Sequence, residues 1–222
     1  MRKKVVKIVG GLLLAVSLVL NIFLYQKTQL SSNLNKVIKV LDGDTFLLNS
    51  AQRVRLLGAS APEMENCGGK EAKKRLEELV LNRNVKLDEP FIDQYSRVIA
   101  LVYVENVMVN EILLKEGWAR YDGTGKSQKE TLKQAYEEAF SQKKGIFSPL
   151  CRAEQPDKPN CLIKGNIDKA TGTKTYHFPG CREFNTTVVE KDLGEDWFCS
   201  EEEAQKAGFQ KSQNCYGKKY TL

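Results

Sequence analysis

The chain has 222 residues, enough for one ordinary domain and a small appendage, and a formal charge of +6. That charge is uneven: residues 1–30 hold five Lys or Arg and no acid, while the rest of the chain is nearly neutral. The excess therefore excludes any case for a nucleic-acid partner based on bulk charge, and such a case must come from local arrangement.

Arg2, Lys3, Lys4 and Lys7 precede an apolar run from Ile8 to Tyr25 broken only by Ser17 and Asn21. A membrane span needs roughly 20 apolar residues, and Val5 and Val6 extend this run close to that length. The basic cluster would stay cytoplasmic and place the remainder outside. Residues 1–27 thus read as a transmembrane anchor, with a cleaved signal peptide as the alternative. Six cysteines suit an oxidising compartment, where an even number reads as paired.

Residues 28–35 form a polar tether. Three short strands follow, over 36–41, 45–48 and 53–57, separated by an Asp42-Gly43 turn and the polar stretch 49–52. Residues 69–82 carry Ala72, Leu76, Leu79 and Val80 on one helical face. Strands over 84–89 and 97–104 come next, then a short helix over 109–116 ended by Gly117. Ser127 and Glu130 have the spacing of a capping box. They would open a helix burying Leu132, Ala135, Tyr136, Ala139 and Phe140, stopped by Gly145.

Five strands and three helices in this order predict an α+β domain over 36–150, a closed five-stranded barrel of the oligonucleotide/oligosaccharide-binding type (OB fold). Residues 151–160, with Pro156 and Pro159, read as a linker. Residues 161–222 form a small α/β module, too short to bury a large core unaided. It holds Cys161, Cys181, Cys199, Cys215 and the sole histidine, His177. Four cysteines can hold Zn2+, but none are spaced C-x2-C, so two disulfides are the favoured reading. Cys67 and Cys151 are candidates for a third pair, although pairing cannot be read from spacing. Ser200 and Glu203 form another capping-box pattern.

Hydrolysing a phosphodiester requires a positioned water, a base, and groups that neutralise charge on the phosphoryl oxygens, typically a carboxylate-held cation and arginine forks. Asp42, Asp44, Arg55, Glu63 and Arg97 supply that inventory at strand ends and loops. Each has an ordinary explanation alone: Asp42-Gly43 as a turn, Glu63 as a solvated acid, Arg97 at the start of a strand. Arg55 is the exception, since an arginine between Val54 and Leu56 in an apolar strand calls for a charge to meet.

Together these stretches resemble the thermonuclease (staphylococcal nuclease-like) family. The matching segments are Val40 to Thr45, Arg55 to Leu57, Ala61-Pro62-Glu63, Gly69 to Ala72, Asp93 to Arg97, Met108 to Gly117, and Ile146-Phe147-Ser148. The resemblance implies an OB-fold barrel and calcium-dependent cleavage of DNA and RNA. It implies Arg55 and Arg97 as the phosphate clamp and Glu63 as the group that activates water. It further implies Asp44 and the Ala61 carbonyl as Ca2+ ligands, Tyr95 beside the bound nucleotide, and Asp42 in support. The chain departs from the pattern at Ser60, where the family carries a second metal-binding Asp. A neutral hydroxyl there removes one charge from the cation site and weakens it.

The C-terminal segments Cys161–Ile167, Tyr176–Cys181, Trp197–Ala204 and Ala207-Gly208-Phe209 resemble a small accessory module of exported bacterial proteins. The expectation is a monomeric, membrane-anchored, extracytoplasmic nuclease acting on DNA or RNA, with its C-terminal module facing a cell-envelope partner. A catalytically silent nucleic-acid-binding module tethered at the cell surface is the alternative, and a structural envelope protein is a further one.

Overall fold

The computed structural model describes residues 16–26 and 35–221. Most of the expected anchor, together with most of the tether, lies outside these. Residues 16–26 are helical (α1) with exposed side chains. Among the described residues no helix is long and apolar enough to cross a membrane.

Strands β1 (Val37–Val40), β2 (Thr45–Leu48) and β3 (Arg53–Leu56) form the expected meander, and β4 (Ala59–Ser60) follows at once. Helix α2 (Gly69–Val80) buries Gly69, Ala72, Leu76 and Val80. β5 (Lys86–Ile92) and β6 (Val98–Val104) make a long hairpin, extended by β7 (Val107–Met108). Helix α3 (Val109–Lys115) then leads to β8 (Arg120–Tyr121) and α4 (Lys129–Ser141).

The main sheet runs β1-β2-β3-β6-β5, with β7 on β6. All its neighbours are antiparallel except β3 and β6. The closed barrel expected from the strand count is not completed as a ladder. β1 and the chain entering β5 meet only at a Lys36–Asn84 bridge, with the Val37 N–H donating to the Arg83 carbonyl at 2.9 Å. β1 has four residues and a register shift between Val37 and Lys39, so it offers too short an edge for continuous pairing.

The principal core joins Phe46, Leu48, Val54, Leu56, Leu101, Leu113 and Leu132, all nearly or fully buried. Asn110, fully buried on α3, is the polar peg of this core. Its side chain accepts from the Val102 N–H at 2.8 Å and donates to the carbonyls of Leu57 and Ala100 at 2.8 and 3.2 Å.

Two local expectations fail. The Ser127 capping box does not form: α4 starts one residue after Gln128, without a side-chain cap. The Ser127 and Lys126 N–H groups donate instead to the Glu89 carboxylate across the β5 bulge. Phe140, in the last turn of α4, is 40 % exposed and packs edge-on against Phe147.

Beyond α4, β9 (Arg152–Ala153) falls inside the expected linker and pairs with β12 (Val189–Glu190). A second sheet, built from β10 (Ile163–Ile167), β11 (Lys174–His177), β13 (Trp197–Phe198) and β14 (Gln210–Lys211), runs β13-β10-β11-β14. Helix α5 (Glu201–Lys206) opens as the Ser200 pattern predicts, with the Ser200 hydroxyl accepting from the Glu203 N–H at 3.1 Å. The Glu203 carboxylate closes this cap on the Cys199 N–H rather than that of Ser200.

The cysteines pair as Cys67–Cys151, Cys161–Cys199 and Cys181–Cys215. No free thiol is left for zinc, and His177 is a buried side chain whose Nε2 lies 3.4 Å from the Thr175 hydroxyl. The second core is small, centred on Ile163, Tyr176, Phe178, Phe198 and Phe209. Such a core depends on its staples, and losing one disulfide from a small domain costs ~2–5 kcal/mol. The double substitution Cys181→Ser/Cys215→Ser should therefore expose residues 161–221 to limited proteolysis at a temperature where 36–150 stays resistant. Equal resistance of both parts would refute this.

Candidate active site

The site begins with a buried acid. Asp44 lies at the mouth of β2, 3 % exposed. Its Oδ1 accepts from the Thr45 hydroxyl at 2.8 Å and from Arg55 Nη1, and its Oδ2 accepts from the Ala61 N–H at 2.9 Å. Burial pushes the Asp44 carboxyl up to about 6; neighbouring Asp42 adds to this, while Arg55, Ala61 and Thr45 work against it. The loop can tuck in so deeply because position 43 has no side chain: a Cβ on Gly43 would stand 2.5 Å from that of Ala61 and 2.7 Å from that of Ala72. The Asp42 carboxylate braces the turn by accepting the Asp44 N–H at 3.1 Å.

Arg55 thus finds the charge that its place in an apolar strand demanded. Its other fork arm, Nη2, donates to the Ser60 hydroxyl at 3.0 Å. Arg97 enters from the neighbouring parallel strand. β3 and β6 pair with Arg55 opposite Ile99, so Arg97, two residues earlier, projects from the same face. Val54, Leu56, Val98 and Ala100 take the buried face, leaving the Arg55 and Arg97 side chains, each about a quarter exposed, on the other one.

Asp93, quoted within the sequence pattern but given no role there, holds Arg97. It accepts the N–H groups of Tyr95 and Arg97 at 2.9 Å and the Arg97 Nε at 2.8 Å. This is the turn chemistry of an Asp whose side chain bonds the backbone two residues on, a signal present in Asp93-Gln94-Tyr95. Tyr95 is exposed, its ring 5.2 Å from the Arg97 guanidinium carbon.

Glu63 follows buried Pro62 and is exposed. Among the described residues its carboxylate meets no hydrogen-bond or ion-pair partner. Its backbone is held firmly: a Cβ on Gly69 would fall 2.0 Å from the Glu63 carbonyl oxygen, so the start of α2 fits beneath this loop only as glycine.

What the site offers a hard cation follows from a lone-pair count. A carboxylate presents about four acceptor positions, and Asp44 has filled three, two on Oδ1 and one on Oδ2. Ser60 already accepts one bond, and no group of three or more His, Cys, Asp or Glu gathers as a metal cluster among the described residues. Calcium takes six to eight oxygens. The donors present fit a weak, water-rich cation site and no more.

A buried acid beneath one arginine, a second arginine on the same sheet face and an unpaired glutamate on the adjoining loop are the features against which relatives can be compared. The staphylococcal nuclease homologue family model matches residues 53–149. A thermonuclease of Staphylococcus hyicus is 36% identical over 127 residues, 51% of this chain and 75% of that protein. A micrococcal nuclease of Shigella flexneri is 35% identical over 141 residues, 55% of this chain and 78% of that protein. An uncharacterized endonuclease of Haemophilus influenzae is 36% identical over 91 residues, and the chain spans about half of it, 51%. These relatives place this chain among hydrolases of the nuclease class. It belongs to the staphylococcal nuclease homologue family.

Proposed function

We propose that the protein hydrolyses phosphodiester bonds of DNA or RNA outside the cytoplasmic membrane, assisted by a weakly held calcium ion. One observation carries this reading: Arg55 on β3 and Arg97, the residue before β6, lie partly exposed on one face of that parallel pair, beside a loop that presents Glu63 without a hydrogen-bond or ion-pair partner among the described residues. Two planar forks on one face suit the oxygens of a single phosphate. Glu63, without a hydrogen-bond or ion-pair partner among the described residues, is the available base for a water attacking that phosphorus. Tyr95, exposed beside Arg97, offers a ring to the flanking nucleotide. Asp44, Ala61 through its carbonyl and, weakly, Ser60 would hold the cation, with Asp42 in support. Bound there, calcium would offset negative charge on a phosphoryl oxygen. The other roles belong to side chains of this chain.

The basic, apolar N-terminus and the three disulfides support a membrane-anchored, extracytoplasmic location. The near saturation of Asp44 favours a second reading, an OB-type module that binds nucleic acid without cutting it. Titrating the purified full-length chain with calcium and then with a chelator, on single-stranded DNA, separates the two. Calcium-stimulated, chelator-reversed release of acid-soluble nucleotides supports hydrolysis, whereas binding without release at every calcium level supports the silent module.

Ser60→Asp restores one charged donor beside Arg55. Calcium affinity and cleavage rate should both rise, on the order of tenfold, since ligand charge count tunes calcium sites over decades. If calorimetry and the rate are both unmoved, the cation does not sit between Asp44 and residue 60.

A further inference from the structure

The loop that presents Glu63 is held by the far end of the chain. The Glu63 carbonyl accepts the Asn66 N–H at 3.0 Å, and the Asn66 side-chain amide donates to the Asp192 carbonyl at 3.3 Å. The next residue, Cys67, donates its N–H to the Lys191 carbonyl at 3.3 Å and is bonded through sulfur to Cys151. The Cys151 carbonyl in turn accepts the Lys191 N–H at 2.8 Å. Gly194 closes against the same amide: a Cβ there would stand 3.4 Å from the Asn66 Nδ2.

The loop's other end leads to the same place. Ser60 pairs with Arg120 across the β4–β8 ladder. Arg120 grips the Asp192 carboxylate with both arms, Nε at 2.6 Å and Nη2 at 3.0 Å, and lies 3.2 Å from a Glu190 oxygen. Asp192 is 2 % exposed. Residues 60 and 66, which bracket Glu63, therefore both end on Asp192, one through Arg120 and one directly. A bidentate, buried ion pair fixes direction as well as distance. Surface ion pairs elsewhere in the chain, such as Lys133–Glu137, carry no such constraint.

We propose that the Val189–Gly194 segment is a clamp that positions Glu63, with Asp192, Arg120 and Asn66 as positioning residues, so that the C-terminal region sets turnover rather than substrate affinity. The inference rests on the reading of Glu63 as the base. A base works only within about 2.6–3.2 Å of the proton it takes, and a misplacement of ~1 Å costs on the order of 10²-fold. An exposed loop needs an external brace to hold that tolerance. The clamp supplies it through two covalent or charge-assisted anchors and three backbone or amide bonds. Arg55 on β3 meets the clamp only through its bond to Ser60, and Arg97, the residue before β6, makes no hydrogen bond to it among the described residues, so substrate affinity stays mainly with these arginines.

The test compares the full-length chain with Asp192→Asn and with the milder Asn66→Ala, which removes one amide bond and leaves the buried ion pair intact. Hydrogen exchange at the amides of residues 63–68 should accelerate in both, more in Asp192→Asn. On single-stranded DNA kcat should fall about tenfold or more in Asp192→Asn, within the cost of a misplaced base, with KM changed less than twofold. Unchanged exchange in both variants overturns the clamp, and so does faster exchange with unaltered kcat or with the whole loss in KM. Failure of the underlying nuclease reading looks different: Glu63→Gln would then leave any nucleotide release at the parent rate, while the exchange comparison would still decide whether the clamp exists.

Discussion

Replacing Glu63 by glutamine should abolish cleavage of denatured DNA, a loss on the order of 10²–10⁴-fold from removing a positioned base, and replacing Arg97 by alanine should abolish it by removing one of the phosphate's two charge-assisted forks. Glutamine preserves the shape of Glu63 but has no basic oxygen pair, and the exposed side chain it replaces carries no structural contact among the described residues. Arg97→Ala removes one of the two forks on the shared sheet face and frees Asp93, whose remaining bonds to the Tyr95 and residue 97 amides keep the turn. The Arg97–Asp93 pair is partly exposed, at 26 % and 16 %, and close in sequence, so its loss costs stability about 1 kcal/mol. The expected result is a folded, inactive protein that still binds substrate in Glu63→Gln and binds it more weakly in Arg97→Ala. Either variant retaining cleavage within tenfold of the parent would remove that residue from the proposed mechanism.

The second large effect concerns stability. Asn110→Ala strands the Val102 N–H and the Leu57 carbonyl in the core, where an unmet polar group costs about 1–3 kcal/mol. With two such groups the domain over 36–150 should lose ~3 kcal/mol or more, seen as a lower urea midpoint at unchanged slope. Asn110→Asp should do no better, since the carboxylate cannot donate to Leu57 and would be buried without a countercharge. A midpoint indistinguishable from the parent would mean that water satisfies these groups and that the peg is not structural.

Local patterns foretold much of this molecule. The apolar stripe of α2, the strand meander and the Ser200 cap follow from side-chain period and capping chemistry, which act within a few residues. The charge partner of Arg55 was also foreseeable in kind, because an arginine embedded in an apolar strand implies an acid. That the acid is Asp44 was not, since the pairing spans eleven residues and depends on strand register. The Ser127 cap failed for a related reason: Glu89, distant in sequence, captures the amides that a local cap would have used. Asp93 had a legible turn motif, but its grip on Arg97 needed the Ser96 backbone to bend to a φ of 59°.

Residue type and short spacing were enough to indicate most of the elements, the family and the candidate reactive groups. Only the tertiary structure decided that Asp44 has one acceptor position left for a cation, that Arg55 and Arg97 share a face, and that Asp192 braces the loop of Glu63. Each of these is a contact between segments separated by up to 126 residues. Such contacts are set by strand register and by which buried charges find each other once the core has closed, and neither is written in any local run of residues.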